Sequence, residues 1–500
     1  MHRQGFDTDQ YLNEQKKSIL ERVSKFGKLY LEFGGKLCYD LHASRVLPGY
    51  RPSAKIELLK QLGDIEIIYC VNAKYIDSGK VRRDFGLTHD NQTLKDIGDI
   101  NNFGLKVNTV VITFYDNQGS VDIFKKKLEN FGINVYLHKA IAGYPHDMRK
   151  VIEGYEKQPY VETSKRLVLV TGVGGNSGKM ATCLSQIYQE RQKGIKTGFA
   201  KFETFPIWNL DLNHPINIAY EAATADLKDV NVMDTFHKNA YDITSVNYNR
   251  DMENFAILQH LIERITQEKS AFGYKSPTDM GVNMAATGII DDEVCREAAK
   301  QEIVRRHFNY KRSKIEGVET QDTIEKMEEL MEKAGVKPED RKVVLTAREA
   351  SEKAKSNKGF NNIYCGAAIQ LKDQKMVYGK NSSLLHAESA AVLNAIKELA
   401  GIPDTIDLIS PDVIKSITET KTILLNRKTP NLNVDETIIA LAISSTTNPT
   451  AKLALDHLSN LQSCEMHVTH LPKKGDEAGL MRLNMNITTD GKLALSPYFQ

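Results

Sequence analysis

"RLVLVTGVGGNSGKMATCLSQ", residues 166–186, decides how the first half of this chain is read. A β-branched run stops at Thr171. Gly172, Gly174, Gly175, Gly178 and Lys179 follow within eight residues, with Asn176 and Ser177 among them. Then Met180, Cys183, Leu184, Ile187 and Tyr188 recur at the spacing of one helix face. Strand, glycine loop and helix in that order are the layout of an anion site; the plainer reading is a glycine-rich turn with no ligand. Glycines allow the backbone to approach a phosphate and to take positive φ. The helix start offers free N–H groups and the positive end of its dipole.

Two loop chemistries compete for this stretch. The P-loop pattern G-x-x-x-x-G-K-[ST] is matched at its end by Gly178-Lys179. Val173 stands where its first glycine belongs, and Met180 where its magnesium-binding hydroxyl belongs, so Ser177 or Thr182 would have to substitute. The rival is a dinucleotide loop. Gly172, Gly175 and Gly178 have the spacing of extended short-chain dehydrogenases, and Glu203, at the end of the next strand, would take ribose hydroxyls. The matching Tyr-x-x-x-Lys pair occurs only as Tyr310–Lys314 inside a charged helix. The cofactor stays open, with ATP and magnesium as the candidate and NAD(P) as the rival.

The flanking sequence extends the pattern. Short apolar strands are expected at 28–33, 65–71, 108–115, 133–138, 166–171 and 197–203, with helical patterns between several of them. This predicts an α/β fold with a Rossmann-like or P-loop-like parallel sheet over residues 1–214, whose ligands would bind at the carboxyl ends of the strands. A second glycine loop follows the first strand. Gly34, Gly35, Lys36, Asp40, His42, Arg45 and Arg51 crowd it, and a long loop at that edge reads as a binding loop. "KSPTDMGVN", 275–283, with Lys275 and Asp279, is a weaker turn-rich candidate. Residues 215–340 read as mainly helical, with Gly335 as a helix C′ residue. Residues 341–500 read as a second α/β unit.

Bulk properties exclude several classes. The 500 residues are enough for about three domains. Sixty-six basic and 64 acidic residues leave a net charge of +2, which gives no electrostatic footprint for nucleic acid or membrane. Clusters such as Arg82-Arg83 and Arg305-Arg306 read as solvated faces. No apolar run approaches the ~18 residues of a membrane span, and the first residues lack a secretory signal. Six scattered cysteines without a CxxC pair fit reduced thiols. A cytoplasmic protein is expected, and a homo-oligomer stays open.

The C-terminal unit carries its own polar residues. "CGAAIQLKDQKMVYGKN" followed by "HAESAAVLNAIKELAG" resembles the strand–strand–helix core of the cytidine-deaminase superfamily. There a His-x-Glu supplies a zinc ligand and a proton shuttle, matched here by His386 and Glu388. The thiolate pair of that pattern is missing, since Cys464 is the only cysteine after Glu388. The resemblance therefore implies a deaminase-like fold, and no metal is assigned. The competing reading makes His386 and Glu388 a helix cap. Cys464, His467 and His470 are spaced three apart and do not converge from a regular strand. Glu465 and His467 share one strand face and are candidates for a general acid/base pair, against the reading of His467 as a satisfied structural histidine.

"YLEFGGKL", "DLHASRVLPGY", "TGVGGNSGKMAT", "AKFETFPIWNL", "NYNRDMENF", "YKSPTDMGVN" and "CEMHVTHLPKKGDEAGL" together resemble, over nearly the whole length, a conserved bacterial family of unknown function. Some of its members carry an ATP-dependent peptidase label. Neither His-Glu-x-x-His nor Gly-x-Ser-x-Gly occurs here, so the signatures of that chemistry are missing.

The resulting expectation is an enzyme that binds a nucleotide or another phosphorylated small molecule. Residues 174–179 would hold phosphate and Lys179 would offset its charge. Lys36, His42, Arg45 and Glu203 would act across the strand ends. The alternatives are a metal-dependent hydrolase using His386, Glu388 and His467, an NAD(P)-binding oxidoreductase, and a ligand-binding protein without turnover.

Overall fold

The computed structural model describes residues 3–82, 86–356, 360, 362–427 and 429–494. Arg83 of the basic pair lies outside the described residues. The chain divides into two compact units, one over Arg3–Ala299 and one from Lys300 onward.

The first unit is built on seven parallel strands: β1 Lys28–Phe33, β2 Ile65–Asn72, β3 Thr109–Tyr115, β4 Asn134–Lys139, β5 Leu167–Gly172, β6 Thr197–Phe202 and β7 Gly281–Val282. Their order in the sheet is β7-β6-β1-β5-β2-β3-β4. Near-continuous Val, Ile and Leu in β2, β3 and β5 suit strands covered on both faces. One face packs on helix α1, Lys179–Gln192, and helix α2, Asn249–Thr266. Tyr30, Ile68, Cys70, Val111, Val168, Val170 and Phe199 meet Cys183, Leu184 and Ile187 of α1 and Phe255, Leu258 and Ile262 of α2 there. Each fully buried aliphatic side chain of this kind contributes roughly 1.5–3 kcal/mol.

The middle region, read from sequence as a helical domain, also supplies strands. Gly281–Val282 forms the sheet edge beside β6, and Asn231–Met233 pairs with Val246–Tyr248. Two- and three-residue strands carry too little alternation to be seen against helical surroundings.

The second unit carries a four-stranded sheet: β8 Gly366–Gln370, β9 Met376–Lys380, β10 Glu465–Val468 and β11 Asn486–Thr489, in the order β9-β8-β10-β11. β8 runs antiparallel to β9 and β10, and β10 parallel to β11. Helix α3, Ala387–Ala400, covers one face; helix Val343–Ser356 lies on the other. Two glycines permit this approach. A Cβ on Gly379 would lie 2.2 Å from the Ala391 nitrogen, and one on Gly366 would lie 2.2 Å from the Ala347 carbonyl oxygen. Helix α4, Lys474–Arg482, joins β10 to β11. Helix Gln321–Ala334 ends at Gly335 with φ +65°.

Among the described residues, no helix is long and apolar enough to cross a membrane. All six cysteines are buried free thiols.

Candidate functional site

Side chains alternate across a strand, so residues two apart share a face. On the α1 face the core rows end together. Beyond Tyr30 stands Glu32, beyond Cys70 stands Asn72, beyond Val111 stands Thr113, beyond Val170 stands Gly172, and beyond Phe199 stand Lys201 and Glu203. The register aligns them: Glu32 pairs with Lys201, Cys70 with Gly172, and Asn72 with Thr113. An apolar face thus becomes a polar rim at the carboxyl edge of the sheet, where α1 begins.

Two of the rim residues hold the glycine loop. Asn72 Nδ2 donates to the Asn176 carbonyl at 2.9 Å, and Thr113 Oγ1 donates to the Ser177 carbonyl at 2.9 Å. Gly172 must lack a side chain, since a Cβ would fall 2.3 Å from the Cys70 carbonyl oxygen. Gly178 has φ +83° and precedes α1 with no side-chain cap. Lys179 Nζ turns back and donates to the Gly174 carbonyl at 3.1 Å, with Ser177 Oγ at 3.4 Å. The Val173 N–H bonds the Cys70 carbonyl at 3.3 Å. Among the described residues, the N–H groups of residues 174–179 make no backbone hydrogen bond of good geometry outside helix α1, although Gly175 and Asn176 sit in a turn. Thr182, weighed as a magnesium hydroxyl, donates instead to the Gly178 carbonyl at 3.0 Å and is fully buried.

Beside the loop lies a buried charge network. Lys201 pairs with Asp251 and with Glu203, the latter at 3.3 Å, and donates to Tyr248 Oη at 2.9 Å. Tyr248 Oη in turn donates to Glu203 Oε1 at 3.0 Å. Burial pushes the Glu203 carboxyl up to about 7, with Lys201 opposing and Asp251 adding to the shift. Burial alone would lower the Lys201 ammonium, but Asp251, Tyr248 and Glu203 hold it well above its ordinary value. Glu32 Oε2 is buried without a hydrogen-bond partner among the described residues. Glu32 pairs with Lys201 on one side and with Val170, two residues before Gly172, on the other, which places it between network and loop.

The second glycine loop folds into more than a loop. Asp40 caps the short helix Leu41–Val46 by accepting from the Ala43 N–H at 3.0 Å, and Lys55 Nζ pairs with Asp40 at 2.7 Å. The His42 ring packs on Phe205 and Tyr220, with centroids 5.2 and 6.4 Å away. Phe205 follows β6 by three residues, so His42 is brought to the β6 side of the rim. Lys36 and Arg45 are half-buried on the same connection. Asp279 of the third candidate stretch accepts from the Lys275 N–H at 2.8 Å and from Tyr241 Oη at 2.9 Å, as an ordinary turn would. Sequence reasoning does not single out Glu32, Asn72, Thr113, Tyr248 and Asp251 as site residues. For the first three, the polar residue ending each apolar strand row is the signal that points to them.

In the second unit the C-terminal candidates separate. Met466 and Val468 of β10 face the core beneath α3. His467 faces the opposite way, with Phe308 at 4.8 Å between ring centroids. Its Nδ1 bonds Thr488 Oγ1 at 2.9 Å and its Nε2 lies 3.4 Å from Asp490. Glu465 pairs with the buried Arg341 at 2.5 Å. Glu465 and His467 are therefore engaged with framework partners, on the other side of the sheet from His386 and Glu388. His386 occupies the N-cap position of α3, yet its side chain makes no cap bond. It bonds Asp476 Oδ2 at 2.7 Å, while Glu388 faces His470 at 3.2 Å. Tyr310 is buried in its helix, and Lys314 bonds Gln321.

Comparison with known proteins places this architecture. Two family models divide the chain between them: domain of unknown function DUF1846, N-terminal, over residues 4–335, and its C-terminal counterpart over residues 339–499. The chain belongs to the DUF1846 family. A UPF0371 protein of Clostridium tetani is 49% identical over 489 residues, 97% of each chain. A UPF0371 protein of Clostridium botulinum strain Eklund 17B is 48% identical over 489 residues, again 97% of each. The family is bacterial and of unknown function, and both the polar rim and the His386–Asp476 pair lie inside its matched regions.

Proposed function

We propose that the first unit binds a phosphorylated small molecule of the nucleotide class at the carboxyl edge of its sheet and acts on it as a transferase or hydrolase. The observation that carries this reading is the glycine loop: it is pinned from below by Asn72 and Thr113, and its N–H groups at residues 174–179 make no backbone hydrogen bond of good geometry outside helix α1 among the described residues. Such a row of donors at a helix start suits phosphate oxygens. Lys179 would exchange its bond to the Gly174 carbonyl for the anion. Glu32, with one oxygen unpartnered among the described residues, is the carboxylate able to hold the magnesium of a nucleotide. Glu203, raised towards neutrality by burial, is suited to accept or return a proton. His42, Lys36 and Arg45 would act from the neighbouring loop. The dinucleotide reading is less well supported, because Glu203 is already held by Lys201 and Tyr248 rather than presented to a ribose.

Calorimetric titration with ATP, GTP, NAD, NADP and inorganic pyrophosphate tests this. Wild type should bind at least one phosphorylated ligand, and Lys179→Ala should bind it at least about tenfold more weakly, a difference of about 1.4 kcal/mol. No binding, or equal binding by the variant, overturns the reading.

A further inference from the structure

Two helix starts converge in the second unit. Glu388 is the second residue of α3, and Asp476 the third of α4. His386 precedes α3 directly. One ligand atom from each of His386, Glu388 and Asp476 lies within 4.8 Å of the others. Glu388 and Asp476 are both fully buried. Two carboxylates this close repel each other, and burial makes the charge of each costly unless it is compensated.

The compensation present is partial. Asp476 Oδ2 takes the His386 ring and Oδ1 accepts the Val434 N–H at 3.0 Å. Glu388 Oε1 has only the His470 ring at 3.2 Å, outside good hydrogen-bond geometry, and Oε2 has no partner among the described residues. A fully buried carboxylate oxygen without a partner, directed into a His/Glu/Asp cluster, is costly unless the site takes up a positive charge. The two helix starts point the positive ends of their dipoles at this pair of carboxylates.

We propose that His386, Glu388 and Asp476 form a binding site for one divalent transition-metal cation of the zinc or manganese class. Two carboxylates bring a charge of −2, which a divalent ion neutralises. An imidazole with two carboxylates is a borderline donor set, which favours such ions over calcium. His470 stands beside the site rather than in it. The site belongs to the second unit and does not depend on the reading given for the glycine loop. It also differs from the grouping expected from sequence, which joins His467 to His386 and Glu388.

The test uses the full chain, freed of metal with a chelator that is then removed. Zinc and manganese are titrated by calorimetry, and bound metal is counted by elemental analysis after gel filtration. One equivalent is expected for wild type and for Cys464→Ala, which keeps the rival Cys464/His467/His470 grouping out of the result. Glu388→Gln and Asp476→Asn should each bind at least about 100-fold more weakly, since even outer-shell changes cost about 10–100-fold. Should those variants fold poorly, the cobalt form of wild type decides. Ligand-field bands without thiolate charge transfer fit the three ligands. Thiolate charge transfer would assign the cation to Cys365 or another cysteine and overturn the ligand set. No stoichiometric binding by wild type, or unchanged binding by both variants, overturns the site.

Discussion

Lys28 Nζ lies 2.6 Å from Glu190 Oε1 beneath the glycine-loop helix, with the two side chains 9% and 0% exposed. Lys28 starts β1 and Glu190 lies in the last turn of α1, so the pair ties the helix that opens at Lys179 to the sheet. Tyr30 and Tyr160 also donate to Glu190 Oε1, each at 3.0 Å. Lys28→Met leaves a buried carboxylate without its cation and should cost about 3–5 kcal/mol. Denaturant unfolding measures it. In Lys28→Met/Glu190→Gln the loss should be smaller than the sum of the single changes, because the second removes the orphaned charge.

The loop glycines should differ sharply in tolerance. A Cβ on Gly172 meets Cys70 backbone at 2.3 Å, and one on Gly178 meets Thr113 at 2.6 Å at a φ of +83°. Gly175 has nothing within 4 Å and no positive φ. Gly172→Ala and Gly178→Ala should each destabilise by about 1–3 kcal/mol. Gly175→Ala should stay within about 0.5 kcal/mol. Equal melting curves for all three would show that the loop is not held as described.

Glu203 carries a pH signature. Burial raises its carboxyl from 4.5 to about 7. Between those values the folded chain retains a proton that the unfolded chain has released. The stability contributed by this group is therefore complete below about pH 4.5 and lost as pH rises through about 7. Glu203→Gln removes the titration. Unfolding free energies measured at about pH 5 and about pH 8 should converge in the variant relative to wild type, and an unchanged difference would rule the assignment out.

Arg341 is the largest fully buried side chain of the second unit. It donates to Thr488 Oγ1 at 2.9 Å, to the Met466 carbonyl at 3.2 Å and to the Asn486 carbonyl at 3.0 Å, besides pairing with Glu465. A lysine cannot reproduce this planar fork. Arg341→Lys should cost about 3 kcal/mol or more by thermal or denaturant unfolding. Glu465→Gln should cost less, since Glu465 is one-third exposed on its side chain.

Much of the first unit is legible in its amino acids alone. The expected strands at 28–33, 65–71 and 166–171 match β1, β2 and β5 to within a residue, because apolar runs bounded by glycine and charge are local signals. The anion-loop layout is legible for the same reason. Tyr248 and Asp251 are not, since they reach Lys201 from a helix start about fifty residues away in sequence. His467 illustrates the opposite error. One reading of the sequence joins it to His386 and Glu388, but its place on β10 turns it away from α3, and only the packing of α3 shows which face matters.

Sequence by itself determined the α/β character, the strand–loop–helix at residues 166–186 and the helix opening at His386. Each of these depends on periodicity and on backbone freedom within some twenty residues. Tertiary structure alone decided which polar residues meet. The polar rim arises because parallel register aligns the ends of five strands that are distant in sequence. The His386–Glu388–Asp476 cluster arises because β10 turns into α4 beside the start of α3. Chain register and sheet order are set by the burial of all the apolar faces together, so no local stretch could encode either meeting.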